Sequence, residues 1–392
     1  MSTKYDFLII GGGIVGAATS HAIAARFPDK SIALLEKETL PAQHQTSHNS
    51  GVIHAGIYYA PDSFKARLCR AGLAATYKFA EENGISTKNT GKLLVATSEP
   101  EVQRLKSLSE RAQNNGVAVK DVSKAELAEM EPNITGLSAM LVRDTGIVDY
   151  AEIASALLKR SNAECFFGEE VEQIEEHQDY VTVTTANKSL QAAQLIVCGG
   201  LQADRLARLA GLNIDIRIMP FRGDFYVLSE RFNSMFSHLI YPVPDTSLPF
   251  LGIHLTEHID GSVSVGPSAM LALAREAYRK LAFSCRDSLE IFSFAGFWKL
   301  LARYPQATYQ ELMIAISKDR YARAAARYCP EIKAADFVAQ RCGVRAQAVD
   351  SKGQLIHDFL FEKTPRMLHV LNAPSPAATS AIPIGEYIVE SI

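Results

Sequence analysis

The sequence predicts an α/β protein built from two domains. The first forty residues read as strand, glycine-rich turn, helix and strand. Residues 218–266 are dense in β-formers punctuated by Pro and Gly, the pattern of an antiparallel sheet. Strands return from Gln340 to the end, after a mostly helical stretch over 269–334. At 392 residues the chain is too long for one ordinary core, which favours two domains.

Taken in order, Phe7 to Ile10 is a short apolar run of buried-strand type. Gly11, Gly13 and Gly16 follow at once, and Ala17, Ala18, Ala22, Ile23 and Ala25 give a helix face of mostly small residues. Pro28 breaks the helix, and Ile32 to Leu35 form a second strand that ends at Glu36, 20 residues past Gly16. This is the dinucleotide-binding pattern of Rossmann type. The first glycine allows the tight turn, the second lets backbone approach a pyrophosphate, and the third lets helix and strand pack closely. Ile14 and Val15 then open a helix whose free N–H groups face the phosphates. Glu36 would accept hydrogen bonds from ribose hydroxyls, with Lys37 beside it.

Further along, residues 99–115 and 151–160 read as amphipathic helices and 180–197 as strands, with a loop at 374–380 before a final short helix. The dinucleotide-binding half is expected to be discontinuous, at 1–90, 150–217 and 335–392. The second domain, an antiparallel sheet carrying helices, is expected at 91–149 and 218–334.

Composition narrows the class. Hydrophobic residues make up 47% and charged residues 21%, which excludes a disordered or low-complexity chain. Lys+Arg is 40 against Asp+Glu 43, so nucleic acid is not expected as a partner. The six cysteines form no CxxC pair, so neither a metal site nor a disulfide framework is expected. No apolar run reaches the roughly 20 residues of a membrane span, and no leader segment is expected before the first strand. The expected location is cytoplasmic, with peripheral contact at the inner membrane face left open.

Two segments favour FAD over NAD. Residues 194–200 form a strand ending in Gly199 and Gly200, suited to close backbone approach, and Val171 is expected to line the same cofactor. In the 374–380 loop, Ser375, Ala377, Ala378 and Thr379 are small enough for backbone N–H groups to reach a flavin edge. Residues 43–59 form a polar loop directly after the Glu36 strand, with Thr46, Ser47, Asn49, Ser50 and Gly51 as expected cofactor contacts.

The sequence resembles the D-amino-acid oxidase superfamily of FAD enzymes, and within it the L-2-hydroxyglutarate dehydrogenase/oxidase family. The matching stretches are Thr46 to Tyr59, Lys65 to Cys69, Pro220 to Tyr226, Pro249 to Thr256, Gly343 to Val349 and Asn372 to Gly385. Ser268 departs from the Asn expected after Gly266 and Pro267, and 285–335 matches least. The resemblance implies oxidation of L-2-hydroxyglutarate to 2-oxoglutarate, with the hydride passing to flavin N5 and electrons then to membrane quinone or O2.

Such chemistry needs a base for the hydroxyl proton and cations for a small 2-hydroxy dicarboxylate. His54 and His254 lie in the matching motifs and are the two candidates for the base, with the choice between them open. Arg345 is the expected carboxylate clamp, because guanidinium binds carboxylate in a bidentate fork; the alternative is a surface ion pair. Tyr241 and Arg222 are weaker candidates for the same pocket. Cys69 reads as a buried small residue rather than a covalent flavin site. Two rival functions remain, a flavin-dependent amine or amino-acid oxidase and a non-enzymatic flavin-binding protein. Finally, residues 291–301 are strongly apolar and hold the one Trp; a core-facing helix is favoured over a membrane or quinone contact.

Overall fold

The computed structural model describes residues 3–245, 252–315 and 317–392. Pro249, Phe250 and Leu251 of the matched stretch lie outside the described residues.

The first sheet is centred on Thr3–Ile10, which pairs in parallel with Ile32–Glu36 on one side and Ser189–Val197 on the other. All five residues of Ile32–Glu36 are buried, as expected of a parallel strand covered on both faces. Glu164–Phe167 adds in parallel beyond it, and Met367–Asn372 pairs in parallel with Ser189–Val197. A hairpin of Val171–Glu176 and Val181–Thr185 closes one edge. The helix Ile14–Arg26 lies against Tyr150–Ser161 and Ala381–Ser391. The approach to the last helix is close: a Cβ at Gly385 would sit 2.6 Å from the Ala18 carbonyl oxygen.

The second sheet runs in the order Met270–Leu271, Ile216–Leu228, Val263–Gly266, His254–Glu257, Leu239–Pro242, Lys92–Ala96, Ser138–Val142 and Val119–Ser123. Its pairings are antiparallel except where Leu239–Pro242 meets Lys92–Ala96. The expected antiparallel sheet is therefore present, and segments from both sides of residue 150 build it.

One strand departs from the expected division. Phe337–Asp350, expected with the dinucleotide-binding half, pairs along nearly its whole length with Ile216–Leu228 in the second sheet. The cause is length: 14 residues facing a 13-residue strand form a ribbon that outweighs the chain's return to the first sheet. The apolar 291–301 segment is not one helix. Cys285–Phe292 and Ala295–Arg303 share it, burying Ile291, Phe297 and Leu300 while Phe292 and Trp298 stay exposed. Core contact and surface display thus divide one segment between two helix faces.

Candidate active site

A cavity of about 1310 Å³ runs from the glycine turn of the first sheet to the face of the second. It exceeds the roughly 300–1,000 Å³ of an ordinary small-molecule site and suits a dinucleotide with a substrate beyond it. Gly11 and Gly13, with Ile14 and Val15, line one end. Gly11 has φ +107°, and a Cβ there would meet the Cys198 carbonyl oxygen at 2.4 Å, so only glycine makes this turn without strain. Gly16 does not line the cavity; a Cβ on it would lie 2.0 Å from the Gly11 carbonyl oxygen, so it serves helix–strand packing.

The Glu36 carboxylate accepts from Gly12 N at 2.6 Å and from Glu38 N at 3.0 Å, fixing the turn while lining the cavity. Lys37 reaches the wall, yet its ammonium pairs with Glu38 at 2.7 Å and Glu276 at 2.9 Å. Glu38, His44 and Glu276 are close enough together to hold a cation, but the Lys37 ammonium already pairs with both carboxylates. Thr46 lines the cavity and accepts from Ile14 N at 3.0 Å, tying the 43–59 loop to the helix start. Asn49, Ser50, Val171, Gly199, Ser375, Ala377, Ala378 and Thr379 also line it. The cradle thus fits FAD: small residues, the N-terminus of the helix Ile14–Arg26 and the Glu36 carboxylate lie along one wall.

Two loop expectations are corrected. Ser47 faces a separate depression with Leu40 and Ala151, because its hydroxyl turns back to the His44 carbonyl. Gly51, at φ +69°, lies against the Val148 backbone, where a Cβ would come within 2.8 Å of the carbonyl oxygen. It shapes the loop and leaves the wall to its neighbours.

At the other end, His54, Tyr241, His254 and Arg345 converge on the cavity. Thr379 holds His54 in place, its hydroxyl accepting from His54 N at 3.1 Å. His254 stacks on Tyr241 with ring centres 4.0 Å apart. Its Nδ1 lies 3.0 Å from the Gly252 carbonyl oxygen, an acceptor only, so Nδ1 carries the proton and Nε2 keeps the lone pair. At the cavity wall, His54 Nδ1 and the Tyr58 hydroxyl are buried without a hydrogen-bond partner among the described residues. Polar atoms so placed are ready to meet a ligand.

Both imidazoles are neutral at physiological pH. Burial, then the charges of Lys92 and His254, pull the His54 pKa down to about 3. Burial also pulls His254 down to about 3; the Gly252 bond opposes this, and Arg345 and Lys92 reinforce it. Neither imidazole is thus the near-neutral base expected from the chemistry while the site is unliganded; an anion bound beside these rings raises their pKa values. Burial pushes the Tyr241 phenol up to about 12, so it stays protonated.

Arg345 is half-buried, and one guanidinium N–H donates to the Ser268 carbonyl at 3.3 Å. Arg222 is not part of this group. It lies opposite Val344 in the ribbon while Phe221 lies opposite Arg345, so pleating sends the two arginines to opposite faces. Arg222 instead pairs with Asp224 at 2.8 Å and donates to the carbonyls of Ala277 and Arg279. Ser268 fills the Asn position with its own bond, its hydroxyl accepting from Asp224 N at 3.1 Å. Cys69 is buried, donates its S–H to the His54 carbonyl and has its pKa pushed up to about 12 by burial, an unreactive thiol.

Sequence reasoning missed Lys92, Tyr58 and Lys65. Lys92 is a fully buried lysine with its Nζ 4.8 Å from the Tyr58 ring centre. The signal was a single charge opening the otherwise apolar run Leu93 to Ala96.

The two-sheet architecture and the dinucleotide cradle define a class, and the sequence comparison agrees. The chain belongs to the FAD dependent oxidoreductase family, whose profile matches residues 6–391. FAD is its cofactor. Within that family it groups with the L-2-hydroxyglutarate dehydrogenases. It is 48% identical over 392 residues to the Escherichia coli K12 protein of that name, covering 99% of this chain and 93% of the relative. It is 38% identical over 412 residues to the mitochondrial Homo sapiens protein, covering 100% and 89%. In fold it is similar to an FAD-bound L-alpha-glycerophosphate oxidase from Mycoplasma pneumoniae, with TM-score 0.81 and 21% identity over 99% of this chain and 94% of that one. A glycine oxidase from Geobacillus kaustophilus gives 0.77 and 19%, also over 99% and 94%.

Proposed function

We infer that this enzyme oxidises the CH–OH group of L-2-hydroxyglutarate to give 2-oxoglutarate. The observation that carries the reading is the convergence of Arg345 with two neutral histidines at one end of an FAD cavity. The near full-length relatives named for this substrate support it.

Arg345 binds a carboxylate of the substrate, a charge-assisted contact made in a site shielded from water. That contact orients Cα and its hydroxyl. His254 takes the hydroxyl proton on Nε2, while Nδ1 keeps its own proton and donates it to the Gly252 carbonyl. Tyr241 holds the imidazole plane by stacking, and His54 lines the facing wall. The dianion raises the histidine pKa values as it enters, bringing the base toward the range its task requires. Bound FAD supplies the two-electron sink for the Cα hydride.

The electrons then pass to a membrane quinone or, alternatively, to O2. Among the described residues no helix is long and apolar enough to cross a membrane. Peripheral contact at the inner membrane face through exposed Phe283, Leu289, Phe292 and Trp298 is the proposed route to quinone.

The test is an anaerobic titration of the yellow holoprotein. L-2-hydroxyglutarate is expected to bleach the flavin with one 2-oxoglutarate formed per flavin. Bleaching by glycine or L-proline instead would favour an amine oxidase, and no bleaching by any of them would favour a flavin-binding protein without this activity.

A further inference from the structure

Lys92 is 1% exposed and makes no ion pair among the described residues. A buried charge without a counter-ion is unfavourable for folding, so its retention calls for a use. Its position suggests one. Leu94 lies opposite Tyr241 in the parallel pair, and Ile240 lies opposite Leu255 in the next. Pleating therefore sets Lys92, Tyr241 and His254 on one face of the sheet, the face that borders the cavity. The ammonium lies 4.8 Å from the Tyr58 ring centre and 5.1 Å from that of Tyr241. Both rings line the cavity and Lys92 does not, so it stands one row behind the wall.

We propose that Lys92 is a positioning residue for a dianionic ligand: its ammonium, held behind Tyr58 and Tyr241, supplies a fixed positive charge at the substrate end of the cavity that attracts a dicarboxylate. The assignment rests on the reading of the site given above and adds the origin of its charge preference.

The groups facing Lys92 are His54 and Tyr58 on the loop, Cys69 on Phe64–Glu82, and Tyr241 and His254 on the adjoining strands. None of them is an anion at neutral pH. Burial holds Lys92 itself down to about 8, so it is charged at pH 7 and loses its charge above pH 8. Lys65, which lines the cavity, is also held to about 8 by burial and is the competing source of any change there.

The test uses the FAD-loaded protein and glutarate, a dicarboxylate without the oxidisable hydroxyl. Binding is read from the flavin spectrum and, independently, from the melting temperature. Lys92→Met is expected to weaken glutarate roughly 10- to 100-fold, the effect of one charge a few ångströms away at intermediate dielectric. Butyrate, with one carboxylate, should lose less, and Lys92→Arg should keep most of the affinity. The unliganded melting temperature of Lys92→Met should hold or rise, because an unpaired charge has been removed. In the parent, glutarate affinity should fall as pH rises through about 8, and this step should persist in Lys65→Met.

Equal glutarate affinity in parent and Lys92→Met overturns the proposal, as does a parent that does not bind glutarate. If Lys92→Met does not fold, the Lys65→Met titration decides: loss of the step there assigns the charge to Lys65. A parent that binds glutarate with the Lys92-dependent step, yet is not bleached by L-2-hydroxyglutarate, leaves this assignment standing and refutes the substrate reading.

Discussion

The cofactor end of the cavity is made of backbone and the substrate end of side chains. At residues 11–16, glycine spacing, a positive φ at Gly11 and the approach of Cys198 fix the cradle within one strand–turn–helix unit. His54, Tyr241, His254 and Arg345 instead come from a loop and three strands brought together only by the second sheet. A backbone site tolerates no added atom but has little chemistry of its own. A side-chain site has the chemistry and depends on distant pairings to assemble it.

Substitution in the cradle should therefore give the largest effect. Gly11→Val forces a β-branched residue into φ +107° with its Cβ 2.4 Å from the Cys198 carbonyl oxygen. The expected product is colourless protein with a lowered melting temperature. Flavin absorbance after purification checks this; a yellow protein with the parent melt would mean that the cradle yields more than its geometry implies.

Next come the histidines. His254→Asn should slow anaerobic flavin reduction by about 10²–10⁴-fold with FAD retained, the range of a lost general base. His54→Asn should cost less, because its tautomer is not set by a carbonyl as that of His254 is. Stopped-flow absorbance at saturating L-2-hydroxyglutarate decides, and the reverse order would move the base to His54. Arg345→Ala ranks third. Loss of a charge-assisted contact is worth about 1.5–3 kcal/mol, or roughly 10- to 150-fold in KM, with FAD content unchanged. An unaltered kcat/KM would remove Arg345 from the site.

The same contrast explains what could be read from the sequence. Gly11, Gly16 and Glu36 were legible because one short segment contains both the spacing and its structural cause. His54, His254 and Arg345 were legible as chemistry, and only the resemblance tied them together. Arg222 misled for a physical reason: one step of pleat carried it to the other face, and a motif of adjacent letters does not display that step. Ser47 misled similarly, sitting in a polar loop whose neighbours do line the cavity. Phe337–Asp350 was assigned by its position near the C-terminus, whereas its partner Ile216–Leu228 is more than a hundred residues away. Lys92 was passed over because a lysine at the start of a strand usually faces water.

The neutral histidines give a pH test of smaller size. Each has a folded pKa near 3, below the ordinary 6.5. Between those values the unfolded chain binds more protons, so stability is full above about pH 6.5 and is lost as pH falls toward 3. The loss is at most about 1.4 kcal/mol per pH unit for each histidine. Denaturant titrations at pH 7, 6 and 5 should show it, and His54→Asn or His254→Asn should each flatten the slope. Identical slopes in parent and variants would mean that the histidines are charged in the folded protein.

The smallest effect on the flavin chemistry is expected far from both ends. Phe283 and Leu289 are 63% and 70% exposed, while Phe297 and Leu300 are buried. Replacing Phe283 and Leu289 with Ser, together with Trp298→Gln, should move stability by only about 0.5 kcal/mol per site, because exposed side chains are removed. Anaerobic flavin reduction should be unchanged. Flotation with vesicles should fall if this face meets a bilayer, since burying those side chains in lipid contributes about 25 cal/mol per Å². Phe297→Ser is the opposing control: it opens the buried side of the helix that carries Trp298 and should lower the melting temperature. Unchanged flotation of the surface variant would leave O2 or a soluble acceptor as the electron route. A large stability loss in that variant would show instead that the exposed face is part of the core.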